Sequence, residues 1–329
     1  MRIKICIAII VMVFAFQTSS AEYKASFLLG PTISQSFGHC NYNLNTLAGY
    51  NNGTAIYAQS KLEFPISATL LGARMSCFLI KDKKRNWIFS LAAATNTSNP
   101  QGKMKDTDWY TIVGYGDLQI SYTESDAKFS YITIDFEIMR RIYSMNNAHT
   151  YILAGFRSQM LDYDIKGFKG RQIYFIDDTT YDYIDIYGDV RALSYKVSYL
   201  SPMAGFYYDL GIGETSSLNL MAAYMLTFAD DYDYHILRNK YSEAHGTGNG
   251  FYSKLNFQYS SIDANQSYKP FFSIYAEFFT TKISTGQTQE WYGDDPISEE
   301  DDTGNVIEDI PHEITTLQFH IGLSFGLAF

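Results

Sequence analysis

From Leu317 to Phe329 the apolar residues fall on every odd position: Leu317, Phe319, Ile321, Leu323, Phe325, Leu327 and Phe329. Thr316, Gln318, His320, Gly322, Ser324, Gly326 and Ala328 fill the even positions with small or polar groups. Successive side chains of an extended strand point to opposite faces, so a period of two predicts a strand with one oily face. The same pattern recurs at roughly 25–40, 54–80, 86–96, 127–144, 148–163, 191–209, 216–229, 251–260, 269–281 and 314–329, which makes ten strands. In the fourth, Ile132, Ile134, Phe136 and Ile138 share one face and Thr133, Asp135 and Glu137 the other. Pro65 and Pro202 fall inside predicted strands, where a residue without an N–H calls for a bulge or a shifted boundary.

The connections alternate in length. Residues 41–53, 97–126, 164–190, 230–250 and 282–313 are long, and 81–85, 145–147, 210–215 and 261–268 are short. Outer-membrane barrels combine short periplasmic turns with long external loops, and their outward apolar positions alternate with polar inward ones. The expected fold is therefore all-β, a ten-stranded antiparallel transmembrane β-barrel with long extracellular loops and both termini on the periplasmic side.

Composition and the amino-terminal region fit that expectation. Arg2 and Lys4 precede an uncharged run from Ile5 to Phe16, and Ser19-Ser20-Ala21 follows, the pattern of a secretory signal spanning residues 1–21. The expected mature unit is a single barrel domain over residues 22–329. The run is shorter than the roughly 20 residues a membrane helix needs. The 28 tyrosines and 23 phenylalanines suit aromatic girdles at two membrane interfaces. The formal charge of −10 becomes −12 without Arg2 and Lys4, which excludes nucleic acid as a natural partner and favours cationic peptides. Outside the signal stand two cysteines, Cys40 and Cys77, which spacing alone leaves open as a disulfide or as two buried thiols.

Candidate chemistry concentrates in two of the long connections. Carrying the parity of strand seven through Ala229 puts Asp231, Asp233 and His235 on the lumen side. A carboxylate two residues from an imidazole on one face can orient it and stabilise its protonated form, making the histidine a general base for water. Asp106 and Asp108 also share one side of an extended segment, and around a ten-stranded ring they lie nearly opposite strand seven, where they could hold and polarise that water. Calcium binding by this pair is the competing idea, although no twelve-residue EF-hand loop surrounds it. No Gly-x-Ser-x-Gly occurs, and no metal or organic cofactor is required. Asp294, Asp295, Glu299, Glu300, Asp301, Asp302, Glu308 and Asp309 read first as a solvated loop and second as an attractor for basic peptides.

The chain resembles the omptins, ten-stranded outer-membrane endopeptidases of Gram-negative bacteria. The resemblance is carried by Gly102-Lys103-Met104-Lys105-Asp106-Thr107-Asp108-Trp109 and Asp231-Tyr232-Asp233-Tyr234-His235, with further matches at Ser60-Lys61-Leu62, Ala154-Gly155-Phe156 and Arg191-Ala192-Leu193-Ser194-Tyr195-Lys196 leading to Pro202. It implies that Asp233 and His235 form a catalytic dyad, that Asp106 and Asp108 hold the water, and that Asp231 lines a pocket for a basic substrate side chain. The implied partners are extracellular polypeptides and outer-membrane lipid, with lipopolysaccharide a further candidate. Two departures stand out. No carboxylate occupies Phe37-Gly38-His39, where the family has an acidic partner, and the positions matching its lipopolysaccharide grip, Phe156, Ser158, Met160 and Ser198, include no cation. The alternative is a non-catalytic outer-membrane barrel, an adhesin or a solute channel, which a blocked lumen and a clustered mouth would argue against.

Overall fold

In a computed structural model of the chain, the described residues are 23–51, 54–81, 84–114, 116–176, 180–260, 268–296 and 301–329. The expected signal, residues 1–21, lies outside them. Twelve strand segments form one sheet: β1 (Lys24–Asn51), β2 (Thr54–Pro65), β3 (Thr69–Lys81), β4 (Lys84–Asn96), β5 (Lys103–Ile112), β6 (Gly116–Met145), β7 (Ala148–Phe175), β8 (Tyr181–Ile212), β9 (Ser216–His235), β10 (Lys240–Ser260), β11 (Lys269–Trp291) and β12 (Val306–Ala328). Every pairing is antiparallel, and β12 pairs with β1, which closes the ring. At its lower end β1 pairs with β3 and β4 with β6; at its upper end β1 pairs with β2 and β5 with β6. Thus β2 with β3, and β4 with β5, are single ribbons broken at mid-height, and the barrel has the ten expected ribbons.

The oily face is outward. Leu317, Phe319, Ile321, Leu323, Phe325, Leu327 and Phe329 are all exposed, while Thr316, Gln318, His320 and Ser324 are buried in the lumen. Each outward Leu, Ile or Phe taken from water into hydrocarbon contributes about 1.5–3 kcal/mol, so the alternation itself fixes which face meets lipid. Above this belt the alternation of hydrophobicity stops, but the strands do not. The stretches that read as long connections are mostly strand: β9 reaches His235 and β10 starts at Lys240, β7 and β8 extend to Phe175 and from Tyr181, and Asp106 and Asp108 lie in β5 instead of a loop. An extended ribbon with water outside and polar residues inside has no apolar face to betray it.

The two prolines act differently from the expected bulges. Pro65 ends β2, and the chain steps out of the ladder through Ile66–Ala68, where Ser36 Oγ bonds the Ile66 and Ala68 carbonyls at 2.5 and 2.9 Å. Pro202 interrupts the β8–β9 ladder, which resumes in the same register at Met203↔Met225; a missing donor costs a rung without shifting the strand. Cys40 and Cys77 are separate free thiols, Cys40 facing the lumen and Cys77 on the other face of β3 from lumen-lining Ser76. Phe156, Ser158, Met160 and Ser198 alternate with the buried Arg157, Gln159, Val197 and Tyr199, so they face outward.

The lumen is filled. At the upper level Tyr42, Phe64, Tyr131, Tyr163, Tyr195 and Tyr199 are buried, with Phe64 stacked on Tyr195 at 4.4 Å and packed on Tyr163 at 5.0 Å. Below them Arg157 reaches Asp135 at 2.9 Å and Glu277 at 3.3 Å, Lys254 bonds Glu277, and Arg74 lies 3.8 Å from Glu137. The Arg157 guanidinium also sits 4.6 Å from the Tyr252 ring centre. These layers form a floor beneath the mouth remote from the termini.

Candidate active site

The parity of β5 is set by Met104, which is buried in the aromatic layer and puts Asp106 and Asp108 on the same inward face two and four residues on. Gly102 enters the strand at φ 127°, a left-handed conformation that disfavours side chains, and thereby turns the chain from the ladder break into β5. Asp106 is paired across to Leu62 and Thr123, and Asp108 to Ser60. The Ser121 hydroxyl donates to Asp108 Oδ2 at 2.6 Å, fixing that carboxylate. A bulge between Asp108 and Trp109 then ends the regular register.

On the facing wall, β9 buries Asp231 and Asp233 and ends at half-buried His235. A 3-10 turn, Ile236–Arg238, and Asn239 at φ 48° return the chain to β10, which begins with Lys240 opposite His235. His235 Nε2 lies 2.8 Å from Asp233 Oδ2. Asp233 has no aligned hydrogen bond to either oxygen, and Asp106 Oδ1 is shielded and likewise without a partner. Burial, then Asp108, then Asp233 push the Asp106 carboxyl well above the usual carboxylate range, against the pull of Lys240 and Arg238. Asp106 therefore stands in the field of Asp233 and Lys240, so β5 and the β9–β10 turn converge across the mouth. All four acids and the imidazole share that mouth.

Asp231 sits one inward position lower. Its carboxyl is also raised by burial, opposed by His312, whose Nε2 is 3.0 Å from Asp231 Oδ2. Tyr195 Oη lies 3.5 Å from the same oxygen.

Several neighbours went unseen in the sequence. Lys240 is buried 5.6 Å from the Trp291 ring centre and donates to Gln289 Oε1 at 3.3 Å; burial and Arg238 depress its ammonium, opposed by Asp233, Asp295 and Asp108. Arg238 binds Asp295 at 2.8 Å, and the Trp291 indole N–H reaches the same carboxylate at 3.4 Å. Asp295 is thus a buried tether and not a member of a solvated acidic run. Glu299 and Glu300 lie outside the described residues. His312 could have been found by carrying the even parity of β12 back from Thr316 through Ile314. Among the described residues no group of three or more His, Cys, Asp or Glu is placed to hold a metal.

A closed ring with an oily exterior, a packed interior and a polar mouth is a transmembrane β-barrel of the outer-membrane type. The crystal structure of the outer membrane protease OmpT from Escherichia coli superposes on it with a TM-score of 0.67 at 14% identity, over 95% of this chain and 99% of that one. OprG from Pseudomonas aeruginosa aligns at a TM-score of 0.29 and 9% identity over 94% and 97% of the two chains. The β domain of the Bordetella autotransporter BrkA gives 0.28 and 10% over 91% and 100%. No family model and no curated protein matches the sequence. At 14% identity the likeness to OmpT is one of fold.

Proposed function

We propose that the chain is an outer-membrane endopeptidase of the omptin type, acting on extracellular polypeptides at the mouth remote from its termini. The observation that carries this reading is the convergence of Asp106 and Asp108 on β5 with the Asp233–His235 contact on β9, above a packed lumen. In the proposed reaction a water lies between the two walls. Asp233 orients His235, whose neutral imidazole takes a proton from the water as its oxygen attacks the peptide carbonyl. Asp108, held by Ser121, accepts a hydrogen bond from the water. Asp106, with its raised affinity for a proton, keeps one into a pH range where an ordinary carboxyl has lost it and can donate to the developing oxyanion. Asp231 would receive the substrate's basic side chain.

No organic cofactor or metal takes part in this scheme. The solute-channel alternative is disfavoured by the aromatic and ionic layers across the lumen, and lipid contact is assigned to the outward belt. The test is incubation of refolded protein with a peptide library. Wild type is expected to cut, and His235→Ala to cut about 10²–10⁴-fold more slowly with unchanged heat-modifiable electrophoretic mobility. Equal cleavage by both proteins would refute the reading.

A further inference from the structure

Resting on the peptidase reading, this inference concerns what Asp231 can accept. Its carboxylate is not an open acidic cup: His312 and Asp231 are both essentially fully buried and 3.0 Å apart. The other ring nitrogen, Nδ1, is 3.2 Å from the Asn43 carbonyl oxygen, and the ring lies 4.4 Å from that of Tyr42. A carbonyl only accepts, so Nδ1 carries a proton. A bond from Nε2 to an ionised carboxylate needs a proton there as well. The geometry therefore suits an imidazolium held between an anion and a carbonyl. We infer that His312 is a built-in counter-cation that occupies the Asp231 subsite, so a guanidinium or ammonium group from a substrate must displace it to bind.

The surroundings offer no other cation for the role. Titratable groups turned toward the pair are Cys40 and Tyr42 of β1, Tyr195 and Tyr199 of β8, and Asp233 of β9, while β10 presents Ala244 opposite Asp231 and β11 reaches Tyr42 with Gln287. The phenols and the thiol are pushed up by burial and stay neutral. Once His312 loses its Nε2 proton, a lone pair faces the carboxylate, and an incoming cation gains what the imidazole gives up. Where the family has a carboxylate on the first strand, this chain brings Cys40 and Tyr42, so Asp231 faces a single competitor for its one charge.

Benzamidine, whose amidinium mimics the head of arginine, probes the subsite without hydrolysis. By isothermal titration calorimetry on the folded full chain in detergent, His312→Ala is expected to bind it about tenfold more tightly than wild type near pH 6. Adding Asp231→Asn should abolish that gain. Wild-type affinity should rise from about pH 5.5 to about pH 8, and that of Asp231→Asn should not. Equal affinity in wild type and His312→Ala, or a gain that survives Asp231→Asn, overturns the inference; if His312→Ala does not fold, a flat wild-type pH profile does so. A protein that shows this binding behaviour but cuts no peptide sinks only the peptidase reading, and one that cuts with benzamidine binding unaltered by His312→Ala sinks only the counter-cation.

Discussion

At mid-height Arg157 lies between Asp135 and Glu277, with Lys254 on Glu277 and Arg74 near Glu137, whereas at the mouth Asp106 stands in the fields of both Asp108 and Asp233. The lower cluster sets three permanent cations against three acids and holds them in direct contact. The upper one brings together Asp106, Asp108, Asp231, Asp233 and Asp295 against Lys240 and Arg238, and Arg238 is already bound to Asp295. Balanced buried charge is explained by folding alone, since each ion needs a partner in low dielectric. Unbalanced like charge costs stability, and a fold that keeps it does so for what the charge does.

The sharpest way to break this contrast is to neutralise one member of each cluster and compare. Asp233→Asn should lower peptide cleavage by about 10²–10⁴-fold while the guanidinium unfolding midpoint barely moves. Arg157→Met should do the reverse, costing about 3–5 kcal/mol in the unfolding curve by stranding Asp135 and Glu277, with the cleaved bonds unchanged. Should Arg157→Met prove harmless to folding, the lower cluster is not the structural one.

Asp106→Asn sharpens the comparison through pH. Its folded-state affinity for a proton is raised, so its contribution to stability is complete below the unfolded carboxyl value of roughly 4 and is lost as pH rises through the folded value. Asn has no such loss. Unfolding curves should therefore coincide near pH 4 and favour Asp106→Asn at pH 8, even as cleavage falls. The smallest effect is expected at the rim: Arg238→Ala, on a half-exposed side chain, should cost under about 1 kcal/mol, less at high salt, in the same unfolding assay.

Ten ribbons, the outward face and the inward parity of Asp231, Asp233 and His235 were legible because lipid imposes a strict alternation on everything it touches. Above the lipid that constraint vanishes. Residues 164–190 and 230–250 therefore read as loops although β7, β8, β9 and β10 run through them. Lys240, Arg238 and Asp295 stayed hidden for the same reason: they lie beside the β9–β10 turn and the end of β11, where no apolar partner marks which way a side chain points. His312 was within reach of parity but lacked a motif. The ladder breaks at Ile66–Ala68 and Thr97–Gly102 leave no mark in hydropathy, since both ribbons resume with the same face inward.

The seam between β1 and β12 has a kinetic consequence. Phe27 and Phe329 exchange both backbone hydrogen bonds, at 2.7 and 2.9 Å, and their rings stack 5.7 Å apart although 302 positions separate them in the chain. No local contact can nucleate such a junction, so every other hairpin can zip while this one waits for a loop of nearly the whole polypeptide to close. During that wait two unpaired borders, one at each flank of the curling sheet, are free to recruit the wrong strand. Closure of that last seam is the slow and vulnerable moment in the life of the molecule.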